Sequence, residues 1–214
     1  MRREILKLYV ITDRKLADRR SLEKLVSQAI AGGASCVQLR DKDSTPRETL
    51  VLGRELLKIL RPLDIPLIIN DRADVALALG ADGVHLGRDD LPVDEARRIF
   101  GKDFIIGATA STPEEVLQAQ KDGADYIGLG AIYPTSTKPD HSPVIGLEGI
   151  KKARAASDIP IVATAGISVE NAADVIASGA DGIAVVSAVF GQKDVALAAS
   201  ELFKAVENGY EIRK

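Results

Sequence analysis

Gly123-Ala124-Asp125-Tyr126-Ile127-Gly128-Leu129-Gly130 is a phrase that the chain uses four times. The other versions are Gly33-Ala34-Ser35-Cys36-Val37-Gln38-Leu39-Arg40, Gly80-Ala81-Asp82-Gly83-Val84-His85-Leu86-Gly87 and Gly179-Ala180-Asp181-Gly182-Ile183-Ala184-Val185-Val186. Their first glycines lie 47, 43 and 56 residues apart. Each follows a stretch with Ala and Leu at helical spacing, so the glycine reads as the residue just past a helix. The apolar run after it reads as a strand buried on both faces.

Between these strands lies a second set: Leu6 to Thr12, Leu67 to Asn70, Phe104 to Ala108 and Ile159 to Ala163. Several helix starts are legible. Thr45-Pro46-Arg47-Glu48 and Thr112-Pro113-Glu114-Glu115 place Thr at the N-cap, Pro at the first helical position and Glu two further on. Ser21 and Ser168 read as simpler caps. A repeat near 45 residues is too long for one strand-helix unit and suits two. Four copies therefore give eight, and strands this apolar need helices on both sides or a closed ring. The reading is an α/β protein, a compact (βα)8 TIM barrel, with residues 1–214 forming a single domain.

A chain of 214 residues, 46% hydrophobic and 28% charged, has the composition of an ordinary globular protein. Apolar runs such as Ile161 to Ile167 fall short of the roughly 18 residues a membrane span needs. The beginning Met1-Arg2-Arg3-Glu4 does not lead into a signal-type apolar segment, so a cytoplasmic location is expected. With 28 basic against 31 acidic residues and no basic run, nothing recommends nucleic acid as a partner. The single cysteine, Cys36, reads as a small buried hydrophobe, and two histidines are too few for a zinc cluster. The sequence leaves open whether copies of the chain associate as a homo-oligomer.

In such a barrel, function collects where strands end and loops begin. Gln38, Arg40 and Lys42 alternate, so all three side chains leave the same face of an extended strand end. Two are cations suited to a phosphate or pyrophosphate, though Arg40 pairing with a structural carboxylate is the plainer alternative. Asp71 and Asp90 close neighbouring strands, and two carboxylates with water and phosphate oxygens would complete the octahedral shell of Mg²⁺. Asp89 reads as a cap for the next helix. Gly166 and Ser187, after the last two strands, sit on ground that often binds phosphate. Thr135, Thr137 and Lys138 add anion ligands on a long loop of the kind that closes over a substrate. His85 reads as a satisfied interior residue and His141 as a loop residue, so no nucleophile-base pair can be assembled.

Taken in order, Leu8-Tyr9-Val10-Ile11-Thr12-Asp13-Arg14, Gln38-x-Arg40-x-Lys42, Asn70-Asp71-Arg72, Gly83-Val84-His85-Leu86-Gly87 with Asp90, Gly128-Leu129-Gly130 with Pro134-Thr135-Ser136-Thr137-Lys138, and Val185-Val186-Ser187 resemble the thiamine phosphate synthase family. The resemblance runs over nearly the whole chain. It implies a (βα)8 enzyme joining 4-amino-2-methyl-5-(diphosphooxymethyl)pyrimidine to 4-methyl-5-(2-phosphooxyethyl)thiazole, with Mg²⁺ as cofactor and pyrophosphate released. By the same resemblance Gln38, Leu39, Arg40, Asp41, Lys42, Asn70, Thr109 and Lys138 would bind the pyrimidine diphosphate, with Arg40, Lys42, Thr109 and Lys138 catalytic. Asp71 and Asp90 would hold the metal, and Thr135, Ser136, Thr137, Gly166, Val186 and Ser187 the thiazole phosphate.

The chain departs from the family pattern at three strand ends. Thr109-Ala110-Ser111 keeps a hydroxyl and loses an imidazole, Gly130-Ala131 replaces Gly-Pro, and Ala165-Gly166 replaces Gly-Gly. The alternatives are a thiazole tautomerase-like isomerase, a sugar-phosphate epimerase, and a paralogue that binds precursors without turnover. The cations and paired carboxylates favour the synthase.

Overall fold

A computed structural model describes residues 3–17, 20–135, 137 and 143–213. Eight parallel strands close into a barrel in sequence order: β1 (Leu8–Ile11), β2 (Cys36–Leu39), β3 (Leu67–Asn70), β4 (Gly83–Leu86), β5 (Ile105–Ala110), β6 (Tyr126–Leu129), β7 (Ile161–Thr164) and β8 (Gly182–Val185). The last strand pairs with the first through Leu8 and Ile183, Tyr9 and Ala184, and Val10 and Val185. The eightfold reading holds, with shifted ends. The expected first strand loses Leu6 to a short 3-10 turn, Arg3–Leu6, and the expected fifth begins one residue later and runs on to Ala110.

The four repeated glycines end helices as read. Gly33, Gly80, Gly123 and Gly179 all have positive φ, between 60° and 118°, where a side chain is disfavoured. Thr45 forms a complete capping box with Glu48 at the helix Pro46–Leu60. Thr112 caps the helix Pro113–Asp122, but the Glu115 carboxylate turns instead to the Ser111 N–H and to Arg88. Asp89 caps nothing: the helix Val93–Phe100 starts at Pro92 without a side-chain cap.

Strand alternation sorts the apolar residues into two layers. Leu8, Val10, Val37, Leu39, Leu67, Ile69, Val84 and Leu86 point outward into the layer beneath the helices. Tyr9, Cys36, Ile68, Tyr126, Val162 and Ala184 point inward and fill the barrel. Cys36 is 1% exposed and packs there as the small hydrophobe expected.

The third residue of the repeated phrase has a structural explanation. Asp82, Asp125 and Asp181 each accept the first or second strand N–H of the preceding neighbour, from Leu67 (2.8 Å), Ile106 (2.7 Å) and Ile161 (2.9 Å). Ser35 plays the same part for Leu8 at 3.0 Å. Arg97 and Arg154 brace Asp125 and Asp181 from the flanking helices. These contacts lie at the N-terminal end of the barrel, where side chains serve stability. Asp82→Ala leaves the Leu67 N–H without its acceptor, so it is expected to destabilise the fold by about 1–3 kcal/mol. Urea unfolding should show a lower midpoint with unchanged slope.

Candidate active site

The opposite end of the barrel opens into a cavity. It is lined by Gln38, Arg40, Lys42, Asn70, Asp71, His85, Thr109, Thr135, Thr137 and Val186, over a floor that includes Tyr9 and Tyr126. Strands β2, β3 and β5 contribute by the same device: an apolar strand whose inward residues turn polar near its C-terminal end. Asn70 and Asp71 close β3, Thr109 lies near the end of β5, and Arg40 and Lys42 follow β2.

The alternation that brings Gln38, Arg40 and Lys42 together sends their neighbours elsewhere. Leu39, expected at the pyrimidine site, is 1% exposed and packs in the outer apolar layer, so its side chain takes no part in the cavity. Asp41, expected there too, has a side chain only 2% exposed and lies 3.1 Å from Arg14 Nε. The guanidinium is not aimed for a hydrogen bond, so Asp41 Oδ2 is charge-paired without one. Both side chains point away from the cavity, with one cause: odd and even residues of a strand face opposite sides.

Arg40 lines the mouth, and its Nη1 lies 3.5 Å from Asp13 Oδ2, a loose tether. Asp13 is itself held, its Oδ1 accepting the Lys15 and Leu16 N–H groups. Lys42 is exposed at the rim.

Asp71 sits at φ 62°, held by its N–H donating to the His85 carbonyl at 2.9 Å. Burial raises the pKa of its carboxyl, and the neighbouring Asp90 charge and a hydrogen-bonding contact with Asp90 raise it further. Lys42 and Arg40 oppose this. Asp90 does not line the cavity wall itself; its Oδ2 accepts the Gly87 N–H at 2.6 Å, which fixes it beside Asp71. Two close carboxylates and two cations therefore share one small space. The hard oxygen pair fits a divalent cation that finishes its shell with water and phosphate. Among the described residues no group of three or more His, Cys, Asp and Glu gathers to hold a metal by protein alone.

At the far side, Thr135, Thr137 and Val186 line the cavity, and Ser187 Oγ lies 3.3 Å from Thr137 Oγ1. Ser187 opens a helix of only four residues, Ser187–Phe190. Gly166 stands behind the wall: a Cβ there would meet the Pro134 carbonyl and Tyr133 Cβ at 2.6 Å, so this glycine lets the loop after β6 pack. Ala165, the departure from the family pattern, does line the cavity and sits at φ 75°. Ser111 is turned from the mouth, accepting from Arg88 and donating to Glu115. Ser136, Lys138 and His141 lie outside the described residues.

Three residues were not read as site residues. His85 is interior, as expected, but also faces the cavity; its Nδ1 is 3.1 Å from the Tyr126 hydroxyl and its Nε2 3.1 Å from Thr109 Oγ1. Tyr9 and Tyr126 lie on the floor. The available signal was a polar-tipped ring at an inward strand position in a chain with four tyrosines.

The family model described as thiamine monophosphate synthase matches residues 8–189. The chain is 48% identical over 199 residues to the thiamine-phosphate synthase of Moorella thermoacetica, covering 93% of this chain and 95% of that one. It is 48% identical over 205 residues to that of Pyrococcus abyssi, covering 96% and 97%. Among solved structures, thiamine phosphate pyrophosphorylase from Pyrococcus furiosus superposes with a TM-score of 0.88 at 45% identity, over 97% of this chain and 98% of that one. With the motifs in order, the barrel closed and the identity sustained end to end, the chain belongs to the thiamine monophosphate synthase family.

Proposed function

We propose that Gln38, Arg40, Lys42, Asn70 and Thr109, with Lys138, hold a pyrimidine diphosphate; that Asp71 and Asp90 hold Mg²⁺; and that Thr135, Thr137, Val186 and Ser187, with Ser136 and Gly166, hold a thiazole phosphate. As a member of its family the chain is a condensing transferase that makes thiamine phosphate and releases pyrophosphate. The matched relatives carry synthase names, which favours this over the isomerase reading. The observation that carries the assignment is the meeting of Arg40, Lys42 and Asp71 on one cavity, with Asp90 against Asp71.

In this reading the methylene C–O bond of the pyrimidine diphosphate breaks and its electron pair leaves with pyrophosphate. The thiazole nitrogen then gives its lone pair to the methylene carbon, forming the C–N bond. That nitrogen carries no proton, so the site needs no general base, in keeping with its scarcity of histidine. Arg40 and Lys42 are placed to stabilise the charge that grows on the departing group. Bound Mg²⁺ would neutralise further phosphate charge as a Lewis acid. Gln38, Asn70 and Thr109 orient the ring end, so that the reacting carbon faces the thiazole side of the cavity.

No helix among the described residues is long and apolar enough to cross a membrane. We read the chain as a cytoplasmic enzyme acting on small molecules alone.

Pyrophosphate release measured with both precursors should require Mg²⁺ and stop when either precursor is omitted. Arg40→Ala is expected to lower kcat by about 10²–10³-fold, the scale for losing one preorganised charge-stabilising donor. Unaltered turnover would remove Arg40 from the leaving-group site.

Asp71→Asn separates metal binding from folding. Because the carboxyl's pKa is raised in the fold, the native state binds that proton more tightly than the unfolded chain does. Asp71 therefore weakens the metal-free fold as pH rises from the ordinary carboxyl range through that raised pKa, and does not weaken it in acid below both. Asn, which tolerates positive φ, should raise the metal-free melting temperature by a few degrees at neutral pH and leave it unchanged in acid. The same variant should lose most Mg²⁺-dependent rate.

A further inference from the structure

A chain of hydrogen bonds crosses the floor of the cavity and touches the assigned ligand groups only at its ends. Gln38 Nε2 donates to the Tyr9 hydroxyl at 2.8 Å. The Tyr9 and Tyr126 hydroxyls are 2.9 Å apart. His85 continues the path to Thr109, 3.1 Å on each side. The five residues come from β2, β1, β6, β4 and β5, so no local turn creates the arrangement. Space is made for it: a Cβ at Gly107 would meet the Tyr126 ring at 2.2 Å, and one at Gly128 would meet His85 Cε1 at 2.8 Å.

The direction of the protons follows from the first link. An amide nitrogen can only donate, so the Tyr9 oxygen accepts from Gln38. Tyr9 is 1% exposed, and its own proton has the Tyr126 oxygen as its neighbour. Tyr126 then donates to His85 Nδ1, leaving that nitrogen bare and the imidazole proton on Nε2. His85 Nε2–H donates to Thr109 Oγ1, and the Thr109 hydroxyl proton is released toward the cavity. The opposite order would have Tyr126 donate to a Tyr9 oxygen that already accepts from Gln38. The Tyr9 proton would then have only the Cys36 sulfur, a weak acceptor, in place of the Tyr126 oxygen, which is the costlier state. Burial holds both phenols well above their ordinary pKa, so neither loses its proton. At the other end, the Gln38 carbonyl oxygen is not among the buried unpartnered atoms, so it opens on the cavity.

We propose that Tyr9, Tyr126 and His85 are positioning residues that fix the hydrogen-bonding sense of the cavity floor: an acceptor from Gln38 and, across the barrel, a donor from Thr109. That pair selects a flat ring with an amino N–H on one edge and an unprotonated ring nitrogen on the opposite edge. This rests on the substrate assignment above and deepens it. An aminopyrimidine meets the demand. The ring in which an oxo group replaces the amino group turns a carbonyl toward the Gln38 carbonyl and is rejected.

The test uses the full chain with Mg²⁺. Tyr126→Phe keeps the ring and cuts the chain. It is expected to raise KM for the pyrimidine diphosphate about tenfold, the loss of one well-made hydrogen bond, while KM for the thiazole phosphate stays unchanged. Discrimination against the 4-oxo pyrimidine diphosphate as competitive inhibitor should fall at least about tenfold. A general loss of packing would instead move both KM values, and that outcome overturns the proposal. Nitrogen-15 NMR of ring-labelled histidine in the unaltered protein gives a readout independent of turnover. With two histidines in the chain, the signals lost in His85→Asn assign the ring. Nδ1 should be unprotonated and Nε2 protonated; the reverse overturns the proposal even if Tyr126→Phe fails to fold. Absence of turnover in the unaltered protein alongside the expected tautomer would count against the substrate assignment and leave the proton order standing.

Discussion

Parallel strands closed into a ring all finish at one rim, and inward and outward residues alternate along each of them. From this constraint the rest of the molecule follows. Side chains 148 residues apart in sequence, Gln38 and Val186, reach one mouth because each follows its own strand to the same rim. The closure of β1 onto β8 makes this compulsory, because every strand has two partners and none can drift in register. The same geometry divides labour between the two ends. Asp82, Asp125 and Asp181 at the N-terminal end are absorbed by strand N–H groups and arginines. Asp71 and Asp90 at the C-terminal end face each other beside Arg40 and Lys42.

That contrast explains why one residue type does opposite work in one chain. A carboxylate that accepts a backbone N–H and an arginine is satisfied and holds the barrel shut. Asp71, drawn partly out of water and set against a like charge, costs stability in the metal-free protein. Its positive φ, and that of Ala165 across the mouth, put unfavourable backbone at two points of the cavity wall.

Much of this was legible before any coordinates. The repeated phrase gave the strand count, because a helix-ending glycine followed by an apolar run is a local signal that does not depend on tertiary context. The alternation of Gln38, Arg40 and Lys42 gave their meeting on one cavity for the same reason. The family resemblance covers Leu39 and Asp41 as well, but the period-2 rule of the strand turns their side chains away from the cavity. Asp89 was misread because a cap depends on where the helix begins, and Pro92 moved that start. Tyr9 and Tyr126 were overlooked since an inward aromatic in a strand looks like core until its hydroxyl is seen to have partners on other strands. The proton path through His85 joins five strands, and no spacing in the sequence announces it.

The account stands on one claim: the cations and the carboxylate pair form a single site for a pyrophosphate leaving group and its metal. Calorimetric titration of inorganic pyrophosphate into the protein, with and without Mg²⁺, tests it most directly. Two ligands that share a site tighten each other by the same factor, so the account predicts strong reciprocal coupling that disappears in Asp90→Asn. Pyrophosphate binding with the same affinity whether or not Mg²⁺ is present, or coupling that survives Asp90→Asn undiminished, would contradict it.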